Sequence, residues 1–334
     1  MATDTVQCLL CPHCCVIRVR ERGVCGVRAN LDGELVSLVY GRPVAVHVDP
    51  VEKKPLYHFM PGTATFSIAT AGCNLGCRFC QNWEISQAAP EDVPPYDLPP
   101  EAAVEEALRS GCDSIAFTYT EPIVFYEYML DTAKLAREAG LASIMVTAGY
   151  INEGPLRELA QWIDAANVDL KGMTDAYYRE MCYGTLEPVQ RTLRILQELG
   201  VWLEVTNLVV PGWNDDEEDL RSLSEWVAGE LGEDVPVHFS RFMPMYQLTE
   251  LPPTPARTLA GAREISLEAG SRYVYVGNVV VENGSLTRCH NCGADLIRRD
   301  LFEVTMSRIS ASGHCPDCGA SIPGVWGTGG TEER

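Results

Sequence analysis

Ala71-Gly72-Cys73-Asn74-Leu75-Gly76-Cys77-Arg78-Phe79-Cys80 places three thiols at the spacing C-x3-C-x2-C. The stretch follows a short apolar strand, Thr65–Ala71, and opens a Gly/Cys loop. Beyond it, after a Pro-rich run from Pro90 to Pro100, one unit recurs: amphipathic helix, Gly stop, apolar strand. Ala102–Arg109 stops at Gly111 and leads into Ser114–Thr118. Phe125–Ala139 stops at Gly140 and leads into Ala142–Thr147. Leu156–Trp162 leads into Asn167–Leu170, and Val189–Leu199 stops at Gly200 before Trp202–Val209. Asn214 reads as an N-cap followed by four acids in the first helical turn, where the helix dipole favours them. That helix leads into Val235–Ser240, and Ala256–Ala269 stops at Gly270 before Tyr273–Val276. Helix-stop glycines before continuous apolar strands are the mark of βα repetition.

Six strands and a seventh follow residue 64. Eight would close a barrel, so the expected fold is α/β, a partial (β/α)6 TIM-like barrel. The alternative is a doubly wound open sheet. In either architecture the three-Cys loop lies at the C-terminal rim, where βα folds build active sites. A structural zinc site wants four ligands. A [4Fe–4S] cube held by three thiolates leaves one iron open to a small molecule.

The chain has 334 residues, 14 of them Cys, and a net charge of 26 − 46 = −20. That charge argues against nucleic-acid backbones and anionic membranes as partners. There is no 18-residue apolar run and no secretory signal pattern, so a cytoplasmic protein is expected. A large chain with clumped Cys reads as metal ligation rather than a disulfide scaffold. The organisation expected is a Cys-rich metal-binding module over 1–60, the barrel over 61–285, a two-knuckle module over 286–324 and a frayed tail over 325–334.

The wording AGCNLGCRFCQNWEISQ, with an aromatic residue before the third Cys, resembles the radical S-adenosylmethionine (SAM) enzymes near the pyruvate formate-lyase activating enzymes. Together with Cys8–Cys25 and YGRPVAVHVDPVEKKPLYHFMP (Tyr40–Pro61), it resembles the AmmeMemoRadiSam-type radical enzymes more closely still. The resemblance implies that Cys73, Cys77 and Cys80 bind three irons of a [4Fe–4S] cluster, and that SAM chelates the fourth. Reductive cleavage of SAM would yield a 5′-deoxyadenosyl radical that takes hydrogen from a protein, peptide or small-molecule substrate. The implied cofactor-binding residues are Phe79, Asn82, Glu121, Thr147, Gly149, Asp169, Lys171 and Asn207. At Thr118–Pro122 the chain has Tyr119-Thr120 where such enzymes carry a Gly pair, and Ala148 replaces a polar residue. The residues alone also allow Glu121 to be a helix cap, Asp169 a strand-end ion-pair partner and Asn207 a satisfied buried amide. An electron donor of flavodoxin or ferredoxin type, and Memo-like and Ammecr-type proteins, are the partners implied.

Two flanking Cys sets remain. Cys289, Cys292, Cys315 and Cys318 form two CxxCG knuckles, a zinc-ribbon or rubredoxin-like site for Zn or a single Fe. At the N-terminus the resemblance implies Cys8, Cys11, Cys15 and Cys25 as ligands of Zn or an auxiliary cluster. The spacing alone fits Cys14 equally well. Cys112 and Cys182 read as ordinary thiols. The loop Glu52–Phe59 reads as substrate-facing or as a solvated connector. A non-catalytic zinc-ribbon interaction protein is the alternative function.

Overall fold

The computed structural model describes residues 5–327. Its centre is an eight-stranded sheet. The strands are β1 (Ala45–Pro50), β2 (Ala64–Ala69), β3 (Ser114–Phe117), β4 (Ala142–Thr147), β5 (Ala165–Asp169), β6 (Trp202–Val209), β7 (Val237–Arg241) and β8 (Val274–Gly277). Their spatial order is their chain order. From β2 to β8 every neighbouring pair is parallel, and β1 pairs antiparallel with β2 on the outer edge. A sheet that never reverses its order has no switch point, which removes the doubly wound alternative. The seven parallel strands are the six and the seventh read from the sequence, one more than a (β/α)6 barrel has.

The helices that return the chain are α1 (Pro100–Arg109), α2 (Tyr126–Glu138), α3 (Glu153–Leu159), α4 (Leu186–Glu198), α5 (Glu217–Trp226) and α6 (Ala256–Glu268). Strand alternation divides the core. Ile115 and Phe117 join the large cluster shared with the helices, whereas Ala116, Ile144 and Ala165 pack with Leu56 and Phe59. Residues 51–60 therefore line the inner face of the sheet and are not a solvated connector. Lys54 is 1% exposed and His58 is fully buried.

Three readings change. Val44–Val48, placed with the N-terminal module, is β1 of the main sheet, because its antiparallel partner lies outside that module. Asn214 is not the α5 cap. Its Oδ1 accepts from the Val210 N–H, its amide donates to the Lys171 and Leu208 carbonyls, and Asp216 caps the helix by accepting from the Asp219 N–H. Val325 bridges to Phe59, and Trp326 lies 5.3 Å from the His58 ring, so this part of the expected tail is packed. The rest of that tail, residues 328–334, lies outside the described residues.

Two hairpins precede the sheet, pairing Thr5–Gln7 with Val16–Arg18 and Arg28–Leu31 with Glu34–Ser37. A three-stranded antiparallel sheet follows it, Thr287–Arg288, Asp295–Asp300 and Glu303–Ser307. It is fastened to the core by Arg299, which donates to the Tyr57 carbonyl at 2.6 Å and faces Glu52 at 3.7 Å. His58 bonds the Pro323 carbonyl at 2.7 Å and the Tyr275 hydroxyl at 2.6 Å.

Burial pushes His58 down from 6.5 to about 4. It is therefore neutral in the fold, and below pH 6.5 the unfolded chain takes a proton that the fold refuses. Unfolding free energy should fall by about 3 kcal/mol between pH 6.5 and pH 4 relative to a His58→Gln variant. Denaturant titrations across that window check this; parallel slopes for the two proteins would refute it.

Candidate functional site at the sheet's C-terminal rim

Cys73, Cys77 and Cys80 line one wall of a cavity of ≈ 430 Å³ above the C-terminal ends of the strands. The loop that carries them is tightly built. The Gly76 N–H donates to the Cys182 carbonyl at 3.0 Å, and the Arg78 N–H donates to the Met181 carbonyl at 2.9 Å. Gly72 has φ +92°, and a Cβ there would stand 2.5 Å from Val27 and 2.7 Å from the Cys25 carbonyl oxygen. Only glycine fits that backbone and that contact.

The thiols differ. Burial pushes Cys73 and Cys80 up, and Ser86 lies 3.2 Å from the Cys80 sulfur. A hydrogen bond from Cys182 holds Cys77 below its usual value, with Lys171 acting in the same direction. Cys182, read from sequence as an ordinary thiol, is thus a fully buried neighbour of the three-Cys loop. Its position after β5 was the signal available.

Strand parity sorts the remaining residues. Asn167, Asp169 and Lys171 alternate into the cavity, as do Thr206 and Leu208 on β6 and His238 and Ser240 on β7. Asn207 points the other way. It does not line the cavity, and its amide donates to the Leu170 carbonyl at 2.7 Å. Gly149 is also absent from the lining. It has φ +69°, and a Cβ there would meet Val168 at 3.0 Å. Phe79, Asn82, Glu121 and Thr147 all face the cavity.

Glu121 has two structural duties as well. It caps the turn Pro122–Phe125 by accepting from the Ile123 N–H, and it accepts from the Thr147 hydroxyl at 2.6 Å and the Ala148 N–H at 2.7 Å. Burial pushes its carboxyl up against these donors. Lys171 bonds Asp169 at 2.8 Å, and its Nζ lies 5.8 Å from the Phe79 ring centre. Burial opposes its charge, but Asp169 and the Cys77 and Cys182 sulfurs outweigh this and raise it.

Two clusters on the inner-face segment escaped sequence reading. Asp49 accepts from Lys53 at 2.8 Å and Lys54 at 2.7 Å, and also from the Tyr119 hydroxyl. Burial lowers Lys54 to about 8 against the pull of Asp49. Glu204 is fully buried and accepts from His238 at 2.6 Å, the Tyr57 N–H at 2.9 Å, the His58 N–H at 2.8 Å and the Trp202 indole at 3.1 Å. Burial works against its charge, yet these donors hold its carboxyl below the usual value. The C-terminal module adds Phe302 to the cavity wall.

That module carries its own metal site. The sulfurs of Cys289, Cys292, Cys315 and Cys318 lie within 4.8 Å of one another. Cys289 is 3.6 Å from Cys318, and Cys292 is 3.8 Å from Cys315, the compact spacing of four thiolates around one ion.

Comparison with known proteins agrees with this geometry. The sequence model of the Radical SAM superfamily matches residues 67–223. The chain is 46% identical over 320 residues to the uncharacterized protein MJ0808 of Methanocaldococcus jannaschii, covering 96% of this chain and 95% of that one. It is 25% identical over 174 residues to the pyruvate formate-lyase-activating enzyme of Clostridium pasteurianum, covering 49% of this chain and 69% of that one. Among solved structures, a radical SAM methyltransferase from Sphaerobacter thermophilus has a TM-score of 0.51 at 16% identity, covering 66% of this chain and 68% of that one. This last likeness speaks for the fold alone. With the cysteine motif, the parallel sheet and the matched sequence in agreement, the chain belongs to the radical SAM superfamily.

Proposed function

We propose that the rim cavity holds a [4Fe–4S] cluster and SAM, and that the protein directs a SAM-derived radical to a hydrogen atom of a substrate bound beside them. The observation that carries this is the convergence of Cys73, Cys77 and Cys80 on one cavity with Asp169, Lys171 and Glu121. Three thiolates would hold the cluster, and the charged residues suit the ammonium and carboxylate of an amino acid. The bound pair supplies one-electron cleavage of a sulfonium C–S bond, giving methionine and a 5′-deoxyadenosyl radical. The chain's own work is to orient SAM, exclude water and hold the reacting carbon.

A cavity of ≈ 430 Å³ is of the size that takes a cofactor-sized ligand. The finer assignment, to the AmmeMemoRadiSam branch, rests on the N-terminal wording. Memo-like and Ammecr-type proteins are partners on the same ground, and a flavodoxin- or ferredoxin-type carrier would supply the electron. A non-catalytic zinc-ribbon protein accounts for residues 286–324 and leaves the rim cavity without a purpose. No helix among the described residues is long and apolar enough to cross a membrane.

Protein purified without oxygen should be brown, and after reduction it should convert SAM to 5′-deoxyadenosine. A colourless, zinc-only protein refutes the reading. Lys171→Met should raise the SAM concentration for half-maximal cleavage roughly 10-fold or more, through loss of a charge-assisted contact. Iron content should be unchanged. An unaltered SAM dependence would remove Lys171 from the binding set.

A further inference from the structure

The rim cavity has polar lining that neither the three cysteines nor the residues suited to SAM account for. On β5 and β6 it is Asn167 and Thr206; from the inner-face segment it is Lys53, Lys54 and Tyr57. Two bonds pin that segment to these strands. The Asn167 amide donates to the Pro55 carbonyl at 2.7 Å, and the Tyr57 N–H donates to Glu204 on β6 at 2.9 Å. Glu204 stands opposite Asn167 in the β5–β6 register. Thr206 is the next residue of β6 on the same face. The lysines, the amide and the hydroxyl therefore belong to one site.

Two of these side chains have atoms that the fold does not use. The Pro55 carbonyl can only accept, so the amide nitrogen of Asn167 must face it and Oδ1 is left over. That oxygen has no partner among the described residues, and neither has the Thr206 hydroxyl. Asn167 is 0% exposed and Thr206 is 6% exposed. Buried polar atoms without partners in a cavity wall call for a ligand. The Asn167 oxygen requires a donor from it, and the Thr206 hydroxyl can donate to it. A hydroxyl on the ligand satisfies both, since it donates one hydrogen and accepts another.

The lysines set the charge. Lys53 and Lys54 both bond Asp49, at 2.8 Å and 2.7 Å, so two ammonium groups share one carboxylate. Glu52 lines the cavity too, but it faces Arg299 at 3.7 Å and accepts from the Gly62 N–H at 2.9 Å. One positive charge at this end is thus unanswered, and a ligand carboxylate would meet it. A ligand ammonium would instead add a third cation. We propose that this end of the cavity is the substrate subsite and takes an organic acid bearing a hydroxyl. Lys53 and Lys54 hold its carboxylate, and Asn167 and Thr206 read its hydroxyl.

The substrate role rests on the radical reading, but binding is measured separately from radical formation. Saturation-transfer NMR on the full, cluster-loaded chain with SAM, kept oxidised so that SAM stays whole, should compare malate, glycerate and 4-hydroxybenzoate with succinate, propionate and benzoate, which lack the hydroxyl. At least one hydroxy acid should bind roughly 10-fold or more tightly than its counterpart. Thr206→Val should erase that preference without lowering Tm, because the hydroxyl it removes holds nothing in the fold. Lys53→Met, at a half-exposed position, should weaken acids with and without the hydroxyl alike, by roughly 10-fold. SAM also carries a carboxylate and hydroxyls, which makes its own affinity the control. No binding by any of these acids, or binding that ignores the hydroxyl, overturns the subsite. So does a loss of SAM affinity in Thr206→Val, which would give these side chains to the cofactor. All three leave the radical site standing. Hydroxy-acid binding that depends on Thr206 and Lys53, in reduced protein that does not cleave SAM, keeps the ligand and overturns the radical reading.

Discussion

Replacing Cys73, Cys77 and Cys80 together by Ala should abolish formation of 5′-deoxyadenosine. All three sulfurs converge on one cavity wall, and the side chains that could support SAM are aimed across it. Without thiolates there is no ligand set for the cluster, while the Asp169–Lys171 ion pair at 2.8 Å is left in place. The fold should survive, since the loop is held by backbone bonds from Gly76 and Arg78 to the 181–182 segment rather than by the sulfurs. Circular dichroism and the C-terminal metal content should stay unchanged while product falls below detection. Persistent product would move the chemistry elsewhere in the chain.

The second large effect is on stability. Glu204→Ala should cost about 3–5 kcal/mol and lower Tm by roughly 10 °C. The carboxylate joins His238 on β7 to the Tyr57 and His58 N–H groups on the inner-face segment. Its removal leaves those buried donors, and the half-buried Trp202 indole, without an acceptor, and such desolvated groups account for large mutational losses. The change also loosens the segment that carries Lys53 and Lys54 to the cavity. A thermal melt within about 1 kcal/mol of wild type would show that the network is dispensable.

The sequence was most informative where chemistry is local. Cys73, Cys77 and Cys80 lie within eight residues, and spacing alone exposed them. The βα units were legible because most of them close with a glycine before the strand. What escaped was non-local. Ala45–Pro50 could not be assigned to the main sheet because nothing in its own residues names an antiparallel partner. Asn207 attracted notice as a polar residue in an apolar strand, yet parity turns it away from the cavity. On the same strand Glu204 points inward, and its meaning depends on donors 146 and 147 residues earlier in the chain. Cys182 was visible as a residue but not as a neighbour of Cys77, since that contact needs the turn after β5 to fold back.

Radical chemistry at the rim cavity is tested by mixing reduced, oxygen-free protein with SAM and quantifying both products. Methionine and 5′-deoxyadenosine should form in equal amounts, only with a reductant and only while Cys73, Cys77 and Cys80 are intact. No deoxyadenosine from cluster-replete, reduced protein, or equal amounts from the variant lacking all three cysteines, would contradict it.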